Sequence, residues 1–432
     1  MRKTNVVIIG GGAAGLMAAC SAAKCLNRKG SVTVIDGNQK LGRKLLATGN
    51  GRCNLTNLNV SVEHYHGDSD KIVGLLAEYS PQSVMGIFRE MGLVTKADPE
   101  GRVYPRNLQA AAVLTTLRSY AEELGVEVLS GVGVDSVEKR GASFTVSLAD
   151  GDKLTAEKCI LACGGAASPK HSCAGNGYEL AKSLGHSVTA LYPALTQLIC
   201  KNKRLKSLSG TRCAANIDLV ADKQVIYSES GEVQFTDSGL SGICIFGVSI
   251  HASEFFALGR IGNVKYKSVQ CVLDMLPDMS FSDIVNYIED IKCKFPKRCM
   301  SELLIGLLPA KLGTALIAEA NADASADIGS LAPSQIRRIA SLIKAWRLDI
   351  SGTKGWNEAQ VTAGGIPLSE LDTKTMGSKK CRGLFLAGEM LNIHGDCGGY
   401  NLHFAWASGA VAGKTAAGDF LKRKEVANDK NS

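Results

Sequence analysis

No Cys-x-x-Cys pair occurs in these 432 residues, although the chain carries 14 cysteines. Zinc ribbons and thioredoxin-type motifs are therefore without support. Most of the thiols sit inside apolar runs: Cys20 and Cys25, Cys159 and Cys163, Cys244 and Cys271. Free buried thiols in a long chain point to a reducing cytoplasm rather than a disulfide framework. Uninterrupted apolar runs are short, none approaching the roughly 20 residues that span a bilayer, so no membrane span is expected. Met1-Arg2-Lys3 before an apolar run imitates a secretory leader, but three consecutive glycines, Gly10 to Gly12, interrupt its core. The formal charge of +8 is spread along the chain. Its denser clusters, Lys201-Asn202-Lys203-Arg204-Leu205-Lys206 and Lys422-Arg423-Lys424, have no interleaved aromatic residues. They read as solvated surface, and no nucleic-acid partner is expected. His64 and His66 alternate on a strand-like stretch with no third ligand nearby, so they read as exposed histidines and no metal site is expected. Internal repeats and low-complexity segments are absent, and the sequence carries no signal for a particular oligomeric state.

What is present begins at Val6-Val7-Ile8-Ile9-Gly10-Gly11-Gly12-Ala13-Ala14-Gly15, an apolar strand, a glycine turn and an alanine-rich helix. Val32-Thr33-Val34-Ile35-Asp36 then supplies a second strand ending in an acid, twenty-one residues after Gly15. Together they form the dinucleotide fingerprint. Gly10 allows the tight turn, Gly12 admits a pyrophosphate against the backbone, and Gly15 lets helix and strand pack closely. The free N–H groups around Ala13 and Ala14 would hold the anion at the positive helix end, and Asp36 would accept from a ribose. No second fingerprint follows. Gly131-Val132-Gly133 lacks the third glycine, and Gly175-Asn176-Gly177 follows no strand. A dedicated nicotinamide domain is thus not expected, and NADH or NADPH would dock transiently as electron donor.

A length of 432 residues suits two or three domains. After the first βαβ unit, residues 40–57 form a polar, glycine-dense loop. Residues 70–92 and 107–124 read as amphipathic helices, with strands at about 126–130, 132–138 and 143–148. Lys158 to Gly165 is a buried strand running into a Gly-Gly turn. Residues 191–272 have the texture of short alternating strands with the helix pattern lost, and 280–346 are helical again. Gly383 to Glu389 is a strand ending in Gly-acid, followed by a helix from about Asn401 to Leu421. The expected fold class is α/β, a Rossmann-like nucleotide-binding domain interrupted by a small antiparallel sheet or barrel and a helical insert; resemblance to a flavoprotein family, carried by motifs between residues 41 and 402, implies an FAD domain of the two-dinucleotide-binding type split by a small β-barrel and a helical module. Its parts are 1–190 and 361–432 for the FAD domain, 191–275 for the barrel-like insert (with 347–360 a candidate to complete it), and 276–346 for the helical insert.

Three separated pieces converge on one cofactor. The fingerprint takes an ADP half, and Ala162 to Gly165 passes nearby. Gly388-Glu389, with Asp396-Cys397-Gly398-Gly399-Tyr400-Asn401-Leu402, would set a carboxylate near a ribityl chain and aim the last helix at a flavin pyrimidine ring. A positive helix end stabilises the charge that a reduced flavin accumulates there. Non-covalent FAD accounts for all three pieces, and NAD alone for only the first. The expected cofactor contacts are Gly10, Gly12, Ala13, Ala14, Gly15, Asp36, Gly42, Arg43, Lys44, Thr48, Gly49, Gly51, Arg52, Cys53, Asn54, Val134, Ala162, Gly164, Gly165, Gly388, Glu389, Asp396, Gly399, Tyr400, Asn401 and Leu402. Cys53 is the sole cysteine of residues 36–70. A dithiol mechanism is therefore excluded there, and Cys53 reads as a packing thiol beside the cofactor.

The run Leu41-Gly42-Arg43-Lys44 with Gly49-Asn50-Gly51-Arg52-Cys53-Asn54-Leu55-Thr56-Asn57 resembles a signature of the BaiN-like (YhiN-like) flavoproteins. So do Gly101-Arg102-Val103-Tyr104-Pro105, Val361-Thr362-Ala363-Gly364-Gly365, Thr375-Met376 and Cys397-Gly398-Gly399-Tyr400-Asn401-Leu402. These blocks run in order from residue 5 to about 413. Gly377 stands where the family usually has Glu, His403 where Gln is usual, and His394 where an apolar or acidic residue is more common. The resemblance implies an FAD-dependent oxidoreductase acting on a small apolar substrate. Its leading specific implication is hydride transfer from flavin N5 to a C=C bond conjugated to a carbonyl, as in 3-oxo-4,6-diene bile-acid intermediates. Tyr104, Arg102 and His403 are the candidate catalytic residues, though His403 also reads as a simple helix-start residue. Amine oxidation is the enzymatic alternative. A tRNA-modifying flavoprotein or a non-catalytic flavin redox protein is the alternative from another class. Sparse basic patches stand against the first, and an insert that covers a flavin against the second.

Overall fold

Apolar runs buried on both faces build a parallel sheet in this computed structural model, which describes residues 2–171 and 176–429. Met1, Gly175 and the side chains of Arg423 and Lys424, all singled out above, lie outside the described residues. The sheet is formed by β1 (Arg2–Ile9), β2 (Val32–Asp36), β3 (Glu127–Ser130), β4 (Lys153–Leu161) and β5 (Leu384–Leu386), in the spatial order β5–β4–β1–β2–β3. All four contacts in that order are parallel. Strand order reverses between β1 and β4, the place where open α/β sheets open a crevice at their carboxyl ends. The antiparallel hairpin Val134–Arg140/Ser143–Leu148 extends from β4, and two short strands extend beyond β5.

Register sets what emerges at that crevice. Ile9 pairs with both Ile35 and Leu161, and Leu161 pairs with Leu386. Four segments far apart in sequence therefore leave the sheet level with one another, and Gly10, Asp36, Ala162 and Ala387 are their next or last residues. The helix α1 (Ala13–Leu26) lies against the sheet, and Leu16, Met17 and Leu26 are each at most 1% exposed. Burying each contributes about 2 kcal/mol. The last helix, α2 (Tyr400–Asp429), crosses α1 at glycines: a Cβ at Gly409 or Gly413 would strike the carbonyls of Ala14 or Ala18.

The described chain divides into two compact units, residues 1–192 with 360–432, and residues 193–359. In the second unit a closed barrel runs through Leu198–Cys200, Gly239–Ser241, Gln224–Thr236, Arg212–Ala221, Val269–Asp274 and Trp346–Thr353. Along Arg212–Ala221 the alternate residues Cys213, Ala215, Ile217 and Leu219 point inward and are buried. Asp222 and Lys223, both at positive φ, make the two-residue hairpin turn that follows. The helices Phe281–Lys294, Ala310–Glu319 and Pro333–Lys344 share one apolar core with the barrel. Among the described residues no helix is long and apolar enough to cross a membrane.

Three expectations are corrected. The stretch read as strands alone contains a 16-residue helix, Ile243–Leu258. That helix is apolar around most of its circumference, so it lacks the polar stripe that reveals a helical period. The continuous helix expected over 70–92 is broken: Val73–Glu78 ends before Ser80, whose hydroxyl accepts from the Ser83 amide and caps a new helix, Pro81–Glu90. Finally, α2 runs eight residues past the expected Leu421, to Asp429.

Candidate active site

The crevice at the β1/β4 reversal opens into a cavity lined by residues of the first unit alone. Its floor is the glycine turn. Gly10 has φ +107°, and a Cβ there would collide with the Ala162 backbone; one on Gly15 would collide with the Gly10 carbonyl oxygen. Gly12 differs. It precedes α1 with no side-chain cap and no acid in the first turn, and a Cβ there would meet nothing within 4 Å. Uncapped N–H groups thus face open space at a helix start, which suits a bound anion. This is the fit expected of a dinucleotide pyrophosphate.

The walls are tied together by charge. Asp36 Oδ2 accepts from the Gly11 amide at 2.7 Å, and its Oδ1 from the Asn38 amide at 2.8 Å, which fixes the carboxylate beside the turn. Lys44 Nζ donates to both oxygens of Glu389, at 2.8 and 2.6 Å. Glu389 Oε1 also accepts from the Thr362 amide at 3.0 Å and hydroxyl at 3.1 Å. One carboxylate thereby joins the loop after β2, the strand Val361–Ala363 and the end of β5. Asn401, in the first turn of α2, donates from its side-chain amide to the Gly395 carbonyl and accepts from the Gly395 N–H, both at 2.8 Å. Its side chain reproduces a strand partner and anchors the helix start to the wall.

The cavity brings together Gly10, Gly12, Ala13, Ala14, Asp36, Gly42, Arg43, Lys44, Thr48, Val134, Ala162, Gly164, Gly388, Glu389, Asn401 and Leu402. Gly15, Gly49, Gly51, Arg52, Cys53, Asn54, Gly165, Asp396, Gly399 and Tyr400 do not line it. A side chain at Gly165 would fall on the Thr362 hydroxyl, and one at Gly399 on the Thr56 carbonyl, so these glycines serve close packing behind the wall. Cys53 is fully buried, and burial pushes its thiol up to about 12 against a weaker opposing hydrogen bond from Thr48. It is a packing thiol and carries no thiolate at neutral pH.

None of the three catalytic candidates, Tyr104, Arg102 and His403, lines this cavity. Tyr104 is buried under the Arg52 guanidinium, 5.5 Å from the ring centre. Arg102 faces Asp98 and Glu100, at 3.9 and 3.7 Å. His403 is fully enclosed, its Nδ1 2.7 Å from the Thr56 hydroxyl. Burial drives its pKa down to about 4, outweighing a backbone contact at Tyr79, so the ring is held neutral.

His64 and His66 are likewise not free surface histidines. The strand Tyr65–Gly67 pairs antiparallel with Ile393–Gly395, opposing His66 to His394. Asp396, just beyond, takes His64 Nδ1 on one oxygen at 3.0 Å and His66 Nε2 on the other at 2.8 Å. Burial opposes ionisation of Asp396, but the hydrogen bonds from His66 and then His64 outweigh it and hold its pKa below the usual carboxylate range. The His64 ring stacks on Tyr400 at 4.3 Å and 18°. Residues 65–67 and 393–395 are more than 320 positions apart, so no local pattern announces this cluster. Also missed were Cys163, Asn176, Gln360 and Val361 on the wall, and Phe404 and Ala405. The last two follow Asn401 at helical spacing of three and four, a signal that could have found them.

A model of the HI0933-like protein Rossmann domain matches residues 4–415. The chain is 36% identical over 414 residues to a 3-dehydro-bile acid Δ4,6-reductase of Clostridium scindens, covering 96% of this chain and 99% of that one. It is 29% identical to a ribosomal RNA dihydrouridine synthase of Haemophilus influenzae, covering 93% and 96%. Its fold is similar to that of a 3-ketosteroid Δ1-dehydrogenase from Sterolibacterium denitrificans, with TM-score 0.52 and 14% identity over 97% of this chain and 100% of that one. A 3-ketosteroid Δ4-(5α)-dehydrogenase from Rhodococcus jostii gives TM-score 0.51 at 16% identity, over 96% and 97%. The motif blocks and the matched residues cover the same stretch. The chain belongs to the HI0933-like Rossmann family and is an oxidoreductase of that family.

Proposed function

We propose that this protein is an FAD-dependent reductase of a carbon–carbon double bond conjugated to a carbonyl, acting on a small apolar substrate in a reducing cytoplasm. The observation that carries the reading is the level exit of β1, β2, β4 and β5 into one cavity, with an uncapped α1 start at one end and the start of α2 at the other. The α1 amides around Gly12 would hold the pyrophosphate, Asp36 the ribose, and the Lys44–Glu389 pair and Asn401 the flavin half. Bound FAD supplies the electron pair for the reduction, with NADH or NADPH as its transient source. The chain's own contribution is to fix these contacts in place before binding, so that little ordering entropy is lost. Thirteen free cysteines among the described residues, most of them buried, suit a reducing compartment.

The relative at 36% identity makes a 3-oxo-4-ene or 3-oxo-4,6-diene steroid acid the leading substrate. A second reading is favoured by the two ribosomal RNA dihydrouridine synthases at 29% and 27% identity. A uracil 5,6 double bond is also conjugated to a carbonyl, so both readings share one bond chemistry. Acid release from purified protein, followed by chromatography, should yield FAD, and Gly12→Val should lose it because a branched side chain fills the anion's place. Anaerobic stopped-flow with NADH and NADPH, then a panel of steroid enones, unmodified ribosomal RNA and amines, separates the readings. Recovery of FMN, or reduction of the oxidised flavin by amines with no reoxidation by a steroid enone or by RNA, would sink both.

A further inference from the structure

A second cleft lies in the first unit, and it shares no lining residue with the cofactor cavity. It encloses about 340 Å³, a size usual for small-molecule sites. Two of its walls are α1 and α2. Lys24 of α1 lines it, as do Ala410 and Lys414 of α2, which are four residues apart and so share a helix face. At 1.5 Å per residue these positions lie roughly 8–15 Å along each helix from Ala14 and Ala405, which line the cofactor cavity. The helix Pro81–Glu90 adds Ile87 and Glu90, with Met91 just beyond it, and the helix Ala110–Glu123 adds Tyr120. Tyr79, which follows Val73–Glu78, completes the lining.

Two features ask for a ligand of one charge. Tyr79 is only 8% exposed, yet its hydroxyl has no hydrogen-bond partner among the described residues. An enclosed hydroxyl without a partner is costly unless a bound group completes it. Burial, and then Glu78, hold this phenol up to about 12, so it keeps its proton and can donate. The second feature is charge. Lys24 Nζ donates to Glu90 at 2.6 Å, so that ammonium and that carboxylate offset each other. Lys414 has no ion-pair partner among the described residues, which leaves the cleft one uncompensated positive charge. The remaining wall is apolar and aromatic. Phenol rings pack well against another ring, and a methionine thioether favours ring edges. We propose that this cleft is a second ligand site, taking an aromatic carboxylate whose anion meets Lys414 and the Tyr79 hydroxyl while its ring lies among Tyr120, Ile87 and Met91. The site is independent of the reaction proposed for the cofactor cavity.

The test is calorimetric titration with 2-naphthoate and with its neutral analogue 2-naphthamide, on purified protein with and without saturating FAD. Naphthoate should bind once per chain, and the amide about tenfold more weakly, because the charge-assisted contacts are lost. Tyr79→Phe should weaken naphthoate about tenfold, the worth of one hydrogen bond to a charged group. Lys414→Gln, at a more exposed position, should weaken it about fivefold and leave the amide unaffected. Neither substitution touches the cofactor cavity, so FAD should bind both variants as it binds wild type. Naphthoate that fails to bind at millimolar concentration would show a cleft filled by water alone and overturn the proposal. Equal affinity for naphthoate and the amide would do the same, as would a naphthoate affinity that either substitution leaves unchanged. Loss of naphthoate binding on addition of FAD would place the compound in the cofactor cavity, and the second site would fall with it.

Discussion

Burial of a single imidazole makes stability depend on pH. His403 is neutral in the folded protein, with its pKa lowered to about 4, whereas in the unfolded chain it titrates near 6.5. As pH falls below 6.5 the unfolded state binds a proton that the folded state refuses. Stability is therefore fully present above that value and drains away down to about pH 4, with about 2 kcal/mol lost by pH 5. His403→Gln, which puts a non-titrating amide in place of the ring, should remove that component. Urea midpoints at neutral pH and at pH 5 should lie closer together in the variant than in wild type. An unchanged gap would show that the ring is not buried neutral. Cys53, read from the sequence as a packing thiol, and His403 are both shut off from solvent.

At the scale of elements, the two crossing helices are governed by glycine. Alanine at 413 would gain up to about 1 kcal/mol of helix propensity, but its Cβ would strike the Ala18 carbonyl of α1. Overpacking of about 1–3 kcal/mol wins, so Gly413→Ala should lower the melting temperature. Gly418, five residues on in the same helix, has nothing within 4 Å of its would-be Cβ. Gly418→Ala should raise the melting temperature instead, which makes it a control with the opposite sign. The fingerprint, β4 and the Gly-acid end of β5 were legible because glycine spacing and apolar runs are local signals. The helix Ile243–Leu258 was not, since an element apolar on nearly every side has no period to read. Nor was the His64–Asp396–His66 group, which exists only because two strands more than 320 residues apart happen to pair.

For the molecule as a whole, the first unit holds every residue that lines the cavity, although its chain is interrupted by residues 193–359. Replacing that second unit with a short flexible linker should therefore leave stoichiometric flavin binding, measured by absorbance after gel filtration. A protein that folds by circular dichroism yet binds no flavin would contradict this. The register of the sheet has a consequence for synthesis. Gly10, Asp36 and Ala162 leave the ribosome early, but Gly388 and Asn401 follow only after the whole second unit has emerged. Until β5 adds to β4 and the last helix closes on α1, the nascent chain presents an open sheet edge and a bare alanine face. The cofactor thus meets a finished cradle only near the end of translation.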